Sequence, residues 1–106
     1  MRILSKSTLR DFWERHPDSR PSLEYWYDLV DGINFNNSNE VISYFNTADV
    51  IGKGRIVFNI CRNKYRLIVK FEYERKFAFV RFIGNHKSYD KLKIIENIWN
   101  AVSWNK

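Results

Sequence analysis

Apolar positions along the chain change their period twice. Early on, Leu9, Phe12 and Trp13, then Leu23, Trp26, Tyr27 and Val30, recur at the spacing of helices with one buried face. Ser7 or Thr8 can cap the first helix, and His16-Pro17 ends it, because a residue before proline is pushed out of helical geometry. Pro21 suits the first turn of a second helix, and Gly32 closes it. Four asparagines within residues 34–39 favour a loop. Val41 to Asp49 fits neither period.

After Gly52-Lys53-Gly54 the period becomes two. Ile56, Phe58 and Ile60 alternate with Val57, Asn59 and Cys61, and Arg62-Asn63-Lys64 supplies a polar turn. Tyr65, Leu67, Val69, Phe71 and Tyr73 then alternate with Arg66, Ile68, Lys70 and Glu72, as in a strand with one buried face. Glu74-Arg75-Lys76 turns the chain into a third strand, Phe77 to Ile83, which stops at Gly84-Asn85. Connections this short predict an antiparallel meander. From Ser88 the helical period returns, with Leu92, Ile95, Trp99 and Val102 on one face. The predicted class is α+β: two N-terminal helices, a small antiparallel sheet and a C-terminal helix, with the helices packed on one face of the sheet. No repeat, linker or low-complexity tract divides residues 1–106, so one domain is expected.

Composition narrows the class. Of 106 residues, 44% are hydrophobic, which is enough for a folded core. A single cysteine excludes an intramolecular disulfide and favours a reducing compartment. Met1 to Lys6 leads into charged residues rather than a signal-like apolar run, and no stretch reaches the roughly 18 apolar residues of a membrane helix. A cytoplasmic protein with no membrane partner is expected. Charge is strongly segregated. The net charge is +6, yet residues 1–52 hold five basic side chains against eight acidic ones, while residues 53–93 hold twelve against three. That basic excess, carried on the predicted strands and turns, suits a polyanion such as nucleic acid; a surface that merely keeps the chain soluble is the plainer reading.

No metal site is expected, because His16, His86 and Cys61 are isolated and no Cys-x-x-Cys or His-x-x-x-His spacing could close a coordination sphere. Gly52-Lys53-Gly54 lacks the length and the Lys-Ser/Thr end of a phosphate loop. What remains is Arg66, Arg81, His86 and Tyr89, with Lys53, Lys64 and Lys87. Cleavage of RNA by its own 2′-hydroxyl needs a base, an acid, and cations on the phosphorane. Histidine titrates near neutrality, arginine offers phosphate two planar donors, and tyrosine can stack or donate a proton. Each also has a plain alternative: His86 in a surface loop, both arginines on the solvent face of a sheet, and Tyr89 packed on the core.

The run Arg55-Ile-Val-Phe-Asn-Ile-Cys-Arg-Asn-Lys-Tyr-Arg-Leu-Ile-Val69, then Val80-Arg-Phe-Ile-Gly84 and His86-Lys-Ser-Tyr-Asp90, resembles the HigB toxins of bacterial HigA/HigB modules. Leu23-Glu-Tyr-Trp-Tyr27 and Ala48-Asp-Val50 extend the likeness over nearly the whole chain. Asn85 and Ser88 stand where the family usually has threonine and often glutamate. The resemblance implies a RelE-like fold and a type II toxin that cleaves messenger RNA, often on the translating ribosome, and needs no cofactor. It also implies silencing by a HigA-like antitoxin. Carried over residue by residue, Arg66, Arg81, His86 and Tyr89 take the catalytic places. Asn59, Asn63 and Lys64 match the family's pattern too and take RNA-binding places, and Lys53, Arg55 and Lys87 join them as cations that track the RNA backbone. A non-catalytic RNA- or ribosome-binding inhibitor is the alternative.

Overall fold

A computed structural model describes residues 1–98, with side chains through Leu92. The order is β1 (Arg2–Leu4), α1 (Lys6–Arg15), a 3-10 turn (Pro17–Ser19), α2 (Arg20–Asp31), α3 (Ser38–Tyr44), β2 (Asp49–Gly52), β3 (Arg55–Ile60), β4 (Tyr65–Glu72), β5 (Phe77–Asn85) and α4 (His86–Ile98). Both N-terminal helices and the three long strands lie where the periodicity places them, and the α+β class holds. The unassigned stretch divides into α3 and β2. Asn37 starts α3 by accepting a 3.0 Å hydrogen bond from the Glu40 backbone N–H, a side-chain cap inside a segment read as loop.

The five strands run in the order β1-β5-β4-β3-β2. The expected meander accounts for β3 to β5, and β2 adds a further antiparallel strand beside β3. β1, however, pairs parallel to β5, with Ile3 opposite Ala78, so the sheet is mixed rather than antiparallel. Three residues are too few to show a period, which is why β1 is invisible in the pattern.

One face of the sheet carries the main core. Phe58, Leu67, Val69, Phe71 and Ala78 pack there against Leu9 and Phe12 of α1, Leu23, Trp26 and Val30 of α2, and Val41 of α3. Aromatic rings supply much of its volume: Phe58 meets Trp26 at 5.5 Å and Phe45 at 5.0 Å, both edge to face. At one end of the sheet the β2–β3 turn is drawn onto β4, where the Phe71 backbone N–H donates to Gly54 O at 2.7 Å. Gly54 has φ +77°, and a Cβ there would lie 2.8 Å from Phe71 O, so only glycine fits.

α4 departs from the expected placement in two ways. It begins at His86 rather than Ser88, and its first turn lies over the other face of the sheet, not with α1 and α2. Gly84 is opposite Arg66 across β4–β5, and a Cβ on Gly84 would lie 3.3 Å from the Ser88 Cβ. The absent side chain gives the helix room to cross there. Ile95, Trp99 and Val102, predicted to share a face with Leu92, lie outside the residues whose side chains are described.

Candidate nucleic-acid interface

The face of the sheet turned away from the main core carries the arginines. Arg66 sits near the start of β4, opposite Asn59 on β3 and Gly84 on β5. Its Nη1 donates to Asn63 O at 3.0 Å, which ties it to the β3–β4 turn. That turn is tight: Lys64 N donates to Cys61 O at 3.1 Å, and Cys61, Arg62 and Asn63 all have positive φ, of 55°, 53° and 72°. Positive φ at both central residues matches the right-handed twist of a hairpin, although only asparagine among the three adopts it readily.

The other side of the Arg66 guanidinium lies 5.9 Å from the centroid of the Tyr89 ring, within range of a cation–π contact. Tyr89 and His86 are three residues apart in the first turn of α4, so their side chains share one face of that helix. Asn85 secures this start, since its Oδ1 accepts a 2.9 Å hydrogen bond from Ser88 N. Asparagine thus caps the first turn of α4. His86 and Lys87 are exposed beside it. Among the described residues no carboxylate forms a salt bridge with Arg66, Arg81, His86 or Lys87.

Arg81 reaches the same face by a different route. Ile68 pairs with Phe82 and Val69 with Val80, so Arg81 is the extra residue of a β-bulge. By alternation Phe77, Phe79 and Arg81 share one face, and they line one groove of about 330 Å³ with Lys70, Glu72 and Arg75. The two rings are 6.2 Å apart, edge to face. Along β5, Arg81 is three residues from Gly84, the residue opposite Arg66, about 10 Å of strand at 3.3 Å per residue. Lys70, Arg75, Phe77 and Phe79 were not among the sequence candidates. The alternate spacing at 77, 79 and 81 is the signal in the sequence that could find this groove.

The remaining candidates scatter. Asn59 borders Arg66, though its Nδ2 donates to Thr47 O at 3.1 Å. Asn63 contributes its carbonyl to Arg66. Lys53 is exposed in the β2–β3 turn. Arg55 is only 3% exposed, and its Nε donates to Gly52 O, so it sits inside that corner rather than on the surface. Lys64 is turned to the helical side, where it pairs with Asp18. Tyr65 Oη donates to the same carboxylate at 2.8 Å. The hydrogen bonds from Lys64 and Tyr65 hold the Asp18 carboxyl below its ordinary value, while burial, with Asp18, pushes the Tyr65 hydroxyl up. Among the described residues no group of three His, Cys, Asp or Glu is gathered as metal ligands would be, and no helix is long and apolar enough to cross a membrane.

Residues 19–92, which include α2 to β5 and the first turns of α4, match the family model HigB_toxin, described as a RelE-like toxic component of a toxin-antitoxin system. A relative from Escherichia coli O6:H1 (strain CFT073) named mRNA interferase HigB is 27% identical over 94 residues, 87% of this chain and 91% of the relative. The matched span contains the Arg66 turn, the bulged strand and the capped start of α4. It covers well over half of the sequence, and the chain belongs to the HigB family of RelE-like toxins of toxin–antitoxin systems.

Proposed function

We propose that this toxin acts as a messenger-RNA endonuclease in the cytoplasm, on RNA held at the ribosome, and that its chemical step uses protein side chains without a metal ion. The observation that carries the reading is the contact of Arg66 with Tyr89 where β4 and the first turn of α4 converge, with His86 three residues before Tyr89 on that helix. Arg66 is oriented by Asn63 O and the Tyr89 ring, which leaves its remaining N–H groups for a phosphate.

In the proposed reaction the 2′-oxygen forms a bond to phosphorus as the bond from phosphorus to the 5′-oxygen breaks. One of His86 and Tyr89 takes the 2′-hydroxyl proton, and the other gives a proton to the leaving oxygen. Arg66 offsets the charge that builds on the phosphorane, the role in which a single positioned donor is worth about 100- to 1000-fold in rate. Products carry a 2′,3′-cyclic phosphate and a 5′-hydroxyl. Arg81, Lys70 and Arg75 continue the path along the groove, where Phe77 and Phe79 offer rings to an unstacked base. Lys53 and Lys87 add phosphate contacts, so affinity falls steeply with salt.

Mapping RNA 5′ ends after induction tests this reading. Wild type is expected to create new cuts within coding regions and arrest growth, and Arg66→Ala to abolish both. Ribosome stalling without new ends would favour a non-catalytic inhibitor. Wild-type cutting by both Arg66→Ala and His86→Ala would overturn the assignment.

A further inference from the structure

Asp18 lies in the 3-10 turn between α1 and α2, and its partners all belong to the hairpin that presents Arg66. Lys64 Nζ and Tyr65 Oη both donate to its carboxylate, and Cys61 Sγ donates to its backbone O at 3.4 Å. Cys61 and Lys64 are the two ends of the β3–β4 turn, so the Asp18 segment holds that turn from both sides, with Asn63 between them. The hold extends into the core, where the Tyr65 ring meets Phe12 at 5.1 Å, edge to face, and His16 at 5.5 Å. Asp18 itself is exposed, and an exposed ion pair adds little to stability. Its importance lies in what it keeps in place.

The turn needs such a hold. Positive φ is unfavourable for Cys61 and Arg62, and residues in that geometry persist where surrounding groups over-determine them. The same stretch of backbone supplies the acceptors for Arg66, whose Nη1 donates to Asn63 O at 3.0 Å and, at greater length, to Tyr65 O at 3.4 Å. Tyr65 also stands opposite Asn85, the residue that caps α4. One residue thus meets Asp18 through its hydroxyl and Arg66 through its carbonyl, beside the start of the helix that carries His86 and Tyr89. If the turn relaxed, Asn63 O would move and the guanidinium would lose its fixed direction, even with the Arg66 backbone still paired in the sheet.

We propose that Asp18 is a positioning residue for Arg66: its carboxylate fixes the β3–β4 turn through Lys64 and Tyr65, and the turn fixes the guanidinium through Asn63 O. The consequence for cleavage rests on the reading of Arg66 as the group that holds the phosphate. Lys64 then serves as part of the brace rather than as an RNA contact, and the acidic N-terminal half of the chain contributes to a site built on the basic half.

The test uses the full chain. Replacing the exposed Asp18 by alanine leaves no cavity, and Tyr65→Phe keeps the buried ring while removing only the hydroxyl. At a temperature well below Tm, kcat for cleavage of a defined RNA should fall about tenfold in Asp18→Ala and about threefold in Tyr65→Phe, with KM within about twofold of wild type, because a displaced donor weakens the transition state most. Nitrogen-15 NMR reads the arginine directly. The Arg66 guanidinium protons should exchange with water about tenfold faster in Asp18→Ala, relative to the backbone amides of β4, whose exchange follows stability. Guanidinium exchange that changes only in step with the β4 amides, or wild-type kcat in Asp18→Ala where Arg66→Ala is impaired, would overturn the proposal. Failure of the catalytic reading looks different: Arg66→Ala would then cleave like wild type, while guanidinium exchange still responded to Asp18→Ala.

Discussion

Replacing Gly84 with alanine adds one methyl group at the point where α4 crosses the sheet. That methyl would lie 2.7 Å from Phe82 Cζ, 3.3 Å from Phe82 Cε1 and 3.3 Å from Ser88 Cβ. Ordinary carbon contacts are about 3.5–4.0 Å, so the Phe82 ring must retreat by roughly 1 Å and the first turn of α4 must lift by a few tenths of an ångström. Overpacking of this kind costs about 1–3 kcal/mol, which for a chain of this size lowers Tm by roughly 5–15 °C. Its effect on activity should be larger than the stability loss implies, because the lifted turn carries both His86 and Tyr89. Displacements of about 1 Å cost on the order of 100-fold in rate, so a shift of a few tenths should cost about 3- to 30-fold. Thermal unfolding followed by circular dichroism, and cleavage of a defined RNA by purified protein at a temperature well below Tm, measure the two effects separately. Adding Phe82→Leu, which shortens the obstructing ring, should restore part of both. A Gly84→Ala protein with unchanged Tm and unchanged cleavage would show that α4 does not depend on close approach at this position.

Two further outcomes concern folding stability. Burial pushes the Tyr73 hydroxyl up to about 12, and its buried oxygen has no hydrogen-bond partner among the described residues. Tyr73→Phe should therefore leave stability unchanged or raise it by up to about 1 kcal/mol in urea unfolding; a clear loss would show that the hydroxyl is satisfied. Lys64 and Tyr65 hold the Asp18 carboxyl below its ordinary value of 3.8, so its contribution is present above that value and fades as pH falls through the lower folded value. Asp18→Asn should be less stable than wild type near neutrality, and the gap should close in acid; a gap independent of pH would refute the charge-based account.

Much of the molecule is legible from residue order. Leu9 and Phe12, Leu23, Trp26 and Val30, and the alternation from Ile56 to Tyr73 each mark a buried stripe, because burial of one face imposes a period on the residues that fill it. Pro17, Pro21 and Gly32 mark helix ends through backbone restrictions that need no partner. The division of charge at Gly52 is likewise a property of the sequence, as is the motif that ties the chain to its family. Short elements behave otherwise. β1 spans three residues and α3 starts among asparagines, and each is held by contacts made elsewhere in the chain.

The candidate site divides along the same line. Asn63, Arg66 and Tyr89 could be chosen by residue type, yet their meeting depends on a register that pairs Arg66 with Gly84 and leaves α4 room to cross. Arg81 follows the alternation of Phe77 and Phe79 onto the groove, but the extra residue that sets Phe82, not Arg81, opposite Ile68 is an event in the pairing of two strands that neither strand records alone. Arg55 and Lys64 were chosen for their charge and are taken up by local partners, Gly52 O and Asp18. By itself, then, the sequence determined the elements, the core stripes, the charge asymmetry and the family, since those follow from local periodicity, composition and motif. Which cations share a face and which are spent within the fold were decided only in three dimensions, because each depends on groups far apart in the chain being brought within a few ångströms.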